Sequence, residues 1–289
     1  MKGVNSFKNN QEGQALLIVV LVMIIALTVG LALISRSITS VKTSTDQADS
    51  QKALAAAEAG IEQSIKSNSP IGEGQGSFGT DTQYSTSIAA VSGTTFLLNG
   101  GDLIQRDDSA DLWMSDYSTD SAKLYAHPTS ANLSIDFNTS KDNCSNPAIN
   151  PAIEVDVVSG SKAAPILTKY AYDPCSSRRS SNHFSAPDIG DTINGVVFTN
   201  KTHLITISPE SPGLFVRIIP IYSSTIIGVT SDTSLPSQGS IITATGCVSP
   251  NNNGCTGSNT GTQRSVTVFQ GFPKIPAEVF PYTFFAPSN

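Results

Sequence analysis

Four cysteines, three histidines and one group of carboxylates are the side chains of this 289-residue sequence whose chemistry goes beyond packing. Cys144, Cys175, Cys247 and Cys255 are even in number and contain no C-x-x-C spacing, which suits two disulfides formed in an oxidising compartment. Three pairings are possible, and the sequence-local one, 144 with 175 and 247 with 255, is the favoured expectation. Zinc is the competing use of these thiols, but only His127, His183 and His203 could complete a site, and they lie in unrelated contexts. Asp107, Asp108, Asp111 and Asp116 crowd one short stretch. Clustered carboxylates attract hard cations, so these four are a calcium candidate. The D-x-D-x-D-G order of a calcium loop is missing, and a solvated loop is the plainer use of them. No G-x-S-x-G, H-E-x-x-H or P-loop pattern occurs. The expectation is a protein without enzymatic activity and without a cofactor.

Composition narrows the partners. Charged residues make up 14% of the chain and the net charge is -6. From residue 67 onward 11 Lys and Arg stand against 18 Asp and Glu, with no basic cluster larger than Arg178-Arg179, so nucleic acid is not an expected partner.

The element that must position everything else is Ala15 to Ile34, ALLIVVLVMIIALTVGLALI, which carries no charge. As a helix at about 1.5 Å per residue it matches the roughly 30 Å hydrocarbon core of a bilayer, making membrane lipid an expected partner. Residues 1–13 (MKGVNSFKNNQEG) read as a short polar leader. The apolar run is too long for an ordinary secretory signal and passes into a second helical pattern. Lys2 and Lys8 on one side balance Arg36 and Lys42 on the other, so the cysteines decide orientation: N-terminus cytoplasmic, C-terminal part extracytoplasmic. From Ser35 to Lys66 there is no proline. Ile34, Ile38, Val41, Thr45, Ala48, Lys52, Ala55 and Ala59 follow a helical stripe, and Leu54, Ala57, Ile61 and Ile65 make another. One continuous helix over about 15–66 is predicted, roughly 75 to 80 Å long.

The pattern QEGQALLIVVLVMIIALTVGLALISRSITSV followed by QKALAAAEAGIEQSI resembles the N-terminal region of type IV pilin-like proteins, and is most similar to PilX-type minor pilins. The resemblance implies that a prepilin peptidase cuts after Gly13, leaving Gln14 as the first mature residue. It also implies partners among other pilin-like subunits. Major pilins carry Phe first and Glu fifth in the mature chain, whereas this sequence has Gln14 and Ile18. Without a carboxylate at Ile18, a neighbouring subunit's buried amine would be left unpaired, so a low-copy, tip or priming subunit is expected in place of the bulk filament protein. A plain single-pass membrane-anchored extracytoplasmic binding domain is the alternative.

Residues 67–80 read as a Gly-rich linker, and 81–289 as a β-rich head of one or two units, giving an α+β fold overall. Strands are predicted at Tyr84 to Ala90, Thr94 to Leu98, Asn132 to Phe137, Ile153 to Val158, Ile166 to Tyr172, Gly195 to Phe198, His203 to Ile207, Leu214 to Tyr222, Thr225 to Val229, Ser240 to Thr245 and Ser265 to Phe269. Ile153, Val155 and Val157 alternate with Glu154 and Asp156, which predicts one face on a core and one in water. Ser109 to Thr119 and Ser176 to Asp191 read as surface excursions. Asn251 to Gly254 reads as a tip closed by the second disulfide, and the tail holding Phe272, Val279, Phe280, Tyr282, Phe284 and Phe285 as an extended closing element.

Overall fold

A computed structural model describes residues 12–71, 76–77, 81–140, 144–146, 149–248, 255 and 261–274. Most of the leader, the tip from Asn251 to Gly254 and the tail from Val279 to Phe285 lie outside them. The chain is α+β: one long N-terminal helix followed by a β-rich head containing several sheets. In chain order the elements are α1 (Glu12–Ser67), β1 (Gly76–Ser77), β2 (Thr82–Ala90), β3 (Gly93–Leu97), a 3-10 turn (Leu98–Gly101), β4 (Ala110–Trp113), β5 (Ala131–Phe137), β6 (Ala152–Ser161) and β7 (Ala164–Tyr172). Then follow α2 (Ser176–Asn182), β8 (Asp188–Ile189), β9 (Thr192–Ile193), β10 (Val196–Val197), β11 (Asn200–Lys201), β12 (Ile205–Ile207), β13 (Gly213–Ile221), β14 (Ile227–Leu235), β15 (Gly239–Val248) and β16 (Gln263–Gly271).

Two compact units result. The first takes Met1–Ser67, Ile71–Thr86 and Ala244–Val266; the second takes Asn68–Pro70, Ser87–Thr243 and Thr267–Asn289. The helix of the first unit ends because Asn68 turns to φ 48°, the left-handed conformation that closes a helix, and Pro70 cannot extend it. A sheet in the order β1-β2-β15-β16 contributes strands to this unit, and β1 falls inside the stretch expected to be linker.

In the second unit one sheet runs β3-β14-β5-β11-β8, with β12 also on β5, and another runs β4-β13-β6-β7. Leu133, Ile135, Phe137, Ile227 and Val229 from the first sheet share one buried cluster with Leu112, Ile153, Val155, Val216 and Ile218 from the second. The two sheets therefore face each other across a common core.

Two sequence expectations need correction. Glu154 and Asp156 do not face water: they are 6% and 2% exposed, so β6 is buried on both faces. Their carboxylates are tolerated because Lys169, on the neighbouring strand, reaches Glu154 Oε1 at 2.8 Å and Asp156 Oδ2 at 3.1 Å. Residues 109–119 are no surface excursion, since Leu112, Trp113, Met114 and Ser115 are buried. Asp111 makes that stretch look polar, but its side chain is buried in a bidentate pair with Arg217 at 2.7 and 2.9 Å. Residues 176–191 do run along the surface, with none of them buried, and they carry α2 and β8. The polar run SSRRSSN has no apolar periodicity; the helix is held by Arg178, which forks onto the buried Asp173 and lies 4.3 Å over the Tyr222 ring.

Candidate functional site

The candidate site is α1 itself, because its two halves present opposite surfaces. From Leu16 to Ala48 every side chain except Gly30 is exposed, and the large apolar ones stand 49% to 70% free from Leu16 to Ile34. This half is long and apolar enough to cross a membrane. Its threonines do not spoil that property. Thr28 donates its hydroxyl to the Ile25 carbonyl at 2.9 Å, and Thr39, Thr43 and Thr45 donate to the carbonyls of Ser35, Thr39 and Val41 at 2.9 to 3.0 Å. A hydroxyl bonded back onto its own helix needs no partner from water.

The other half is seated in the first unit by small residues. Ala53, Ala56, Ala57, Gly60, Ile61 and Ser64 are buried at spacings of three and four. Leu54 and Ile65, expected on the packed stripe, are instead 41% and 42% exposed. The reason lies on the facing strand: a Cβ placed on Gly246 of β15 would stand 2.0 Å from the Ala53 carbonyl oxygen and 2.6 Å from the Ala57 nitrogen. Strand backbone touches helix backbone there, and only residues without bulk fit between. Gly60 continues the contact, its absent Cβ leaving room for Tyr84 and Thr86. Ser64 and Thr86 share a buried hydroxyl hydrogen bond of 2.7 Å, and the Ile71 N–H donates to Thr86 Oγ1 at 2.7 Å. At the rim Arg264 Nε donates to Ser50 Oγ at 2.8 Å, and Lys52 lies 3.6 Å from Asp81.

The remaining sequence candidates fall as follows. Gly13 and Gln14 lie in the first turn of α1, and Ile18 is 58% exposed among other apolar side chains. Cys144 is joined to Cys175 and Cys247 to Cys255. The four aspartates do not converge: Asp107 pairs with Arg106, Asp108 with Lys274, Asp111 with Arg217 and Asp116 with His127. Lys274, donating at 2.8 Å to both Asp108 oxygens, holds that carboxyl below its usual range. Among the described residues no group of three or more His, Cys, Asp or Glu is placed to hold a metal. His183 caps α2 in the left-handed conformation, and His203 stands edge-on to Tyr172, 5.4 Å between ring centres.

Searches of protein families, of curated proteins and of solved structures find no match for the chain.

Sequence reasoning missed a second concentration of chemistry, on the outer face of the β4-β13-β6-β7 sheet. Asp111, Arg217, Asp156 and Lys169 stand in register across the four strands, an alternating row of charges whose first three side chains are buried and whose last is half-buried. Burial first, and then the neighbouring Glu154, pushes Asp156 up to about 6, and its Oδ1 has no hydrogen-bond partner. Beside the row Trp113 meets Tyr117, Tyr125, Phe215 and Phe272, with ring centres 5.0 to 6.1 Å apart. Gln238 takes the place of a neighbouring strand along β4: its Oε1 accepts from the Trp113 N–H at 2.7 Å and its Nε2 donates to the Trp113 carbonyl at 2.8 Å. Alternation of charge with apolar residues in β4, β6 and β13 was the available signal, but one strand at a time it reads as a solvated face.

Proposed function

We propose that this chain is a minor pilin-like subunit of a type IV pilus-like filament or of its assembly machinery, low in copy and placed at a tip or in priming. The observation that carries the proposal is α1: an exposed apolar half continuous with a half locked backbone-to-backbone into a β-bearing unit. A membrane anchor needs only the first half. A helix that carries its head out of lipid as one piece needs both, since withdrawal loads the joint between them. The resemblance of residues 12–66 to pilin-like sequences points the same way, and Ile18 argues for a rare or terminal position. Disulfides that need an oxidising compartment support an extracytoplasmic head with the N-terminus cytoplasmic. The work is mechanical and interfacial, without a catalytic step or cofactor. Its partners are lipid, other pilin-like subunits and a prepilin peptidase acting after Gly13.

The alternative, a single-pass anchored binding domain that never enters a filament, is favoured by the exposed apolar half taken alone. Peptide sequencing of the protein purified from membranes separates the two. A mature chain starting at Gln14, abolished by Gly13→Leu, supports the subunit; a chain that retains Met1 in cells with an active prepilin peptidase refutes it.

A further inference from the structure

Asp136 is the second-last residue of β5, opposite Gly228 on β14 and Lys201 on β11. Residues 190–199, which include the β9–β10 hairpin, fold over it. Ile193 and Phe198, 1% and 2% exposed, come down on Gly228, where a Cβ would be 2.7 Å from one and 2.9 Å from the other. The segment closes on itself through the Phe198 N–H to the Asp191 carbonyl at 2.9 Å and the Gly190 N–H to the Thr199 carbonyl at 3.1 Å. The Asp191 N–H donates to Asp136 Oδ1 at 2.7 Å, and Lys201 Nζ reaches Asp191 Oδ2 at 2.8 Å. Asp136 is 0% exposed, and its second oxygen, Oδ2, is buried with no hydrogen-bond partner. An ionised carboxylate with an orphaned oxygen is a poor occupant of such a site, whereas a protonated one is tolerated.

We propose that residues 190–199 are a proton-controlled flap, shut over Asp136 while its carboxyl is protonated and released when it ionises. The charged groups facing Asp136 are Asp191 on the flap, Lys201 on β11 and Asp188 on β8, the last 3.6 Å from His203. Residues 192–199 contain no titratable side chain, and β14 presents Gly228 at this position. Asp191 and Asp136 repel once both are charged, and the single ammonium of Lys201 is already engaged by Asp191. Burial, with the like charge of Asp191 added, pushes Asp136 up to about 6 in the shut form against 3.8 for a free carboxyl. The shut form therefore holds the proton more tightly, and opening becomes easier as pH rises through that interval. Opening uncovers Ile193 and Phe198 and the groove above Gly228.

The test is amide hydrogen exchange on the full-length protein in detergent micelles, with protection corrected for the intrinsic pH dependence of exchange. Between pH 4.5 and pH 8 the Asp191 and Phe198 amides are expected to lose about 30-fold in protection, the part of a two-unit shift that lies above pH 4.5. The Ile104 and Thr225 amides, bonded to each other's carbonyls at 2.9 and 3.0 Å elsewhere in the same unit, are expected to lose much less. Asp136→Asn is expected to flatten the dependence at Asp191 and Phe198, which separates Asp136 from the nearby His203. The proposal is overturned if protection of Asp191 and Phe198 is constant with pH, if it falls in step with Ile104 and Thr225, or if it falls equally in D136N. If D136N does not fold, the wild-type comparison of the two amide pairs decides alone.

Discussion

Gly246→Ala is the substitution that strikes the joint on which the proposed function depends. The added methyl would start 2.0 Å from the Ala53 oxygen, 2.6 Å from the Ala57 nitrogen and 3.1 Å from the Ala53 carbonyl carbon. Ordinary non-bonded contact is about 3.5 Å, so β15 and α1 must part by more than about 1 Å. Both sides are backbone, so no side chain can swing away. Overpacking costs typically 1–3 kcal/mol, and the absence of any soft neighbour puts this case at about 3 kcal/mol. Gly30→Ala is the matched control, because nothing lies within 4 Å of its added methyl. The assay is amide exchange across Ala53–Ser64 in the full chain in micelles. About 3 kcal/mol corresponds to roughly a 100-fold loss of protection there, with the control unchanged or slightly better protected. Protection within about threefold of the wild type would refute the claim that the helix is seated backbone-to-backbone at Gly246.

Gln238→Ala leaves the Trp113 N–H and carbonyl without their shared partner inside the second unit, a loss of about 2–4 kcal/mol; Trp113 is the chain's single tryptophan, so its fluorescence reports the change directly. Lys169→Met strips the ammonium from Glu154 and Asp156, at a cost of about 3–5 kcal/mol at pH 8 that shrinks at pH 5 as Asp156 takes up a proton; denaturant melts at the two pH values check both the size and the sign. Asp136 and Asp156, both raised to about 6, contribute stability that is complete below 3.8 and is lost as pH rises through 6. The second unit should therefore melt several degrees higher at pH 5 than at pH 7.5. Asp108, held low by Lys274, acts only below its usual range and does not cancel this, so a melting temperature that rises across the same window would contradict the assignment.

The parts of the fold legible in the sequence were those whose signal is local. α1 has length and an uninterrupted apolar run, and the strands from β5 to β7 and from β13 to β16 are β-branched runs between turn residues. What stayed hidden was set by a partner on another strand. Asp111, Glu154 and Asp156 read as water-facing until Arg217 and Lys169 are brought beside them. Of the expected stripe on α1, Ala57 and Ile61 are buried while Leu54 and Ile65 are 41% and 42% exposed, because the missing side chain of Gly246, almost two hundred residues further on, draws the small residues Ala53 and Ala57 into the seat. A glycine in a strand announces a close approach without saying to what.

That same close approach fixes more than strength. If α1 is held by backbone contact, it is not free to roll, and the face shown by its exposed half is set by the seat. At 3.6 residues per turn the stripe Ile34, Ile38, Val41 and Thr45 lies roughly a quarter turn from the line through Ala53, Ala57, Gly60 and Ser64. Those four exposed positions thus point to one side of the direction in which β15 covers the helix. A partner helix can meet the stripe without displacing the seat, whereas a stripe in line with the seat would force the two to compete for the same side. Rolling α1 by one residue would move the stripe by about 100° and bring Leu54 against Gly246, where no room exists for it. The register between helix and strand is therefore also the setting that aims the apolar half, and that aim is set at Gly246.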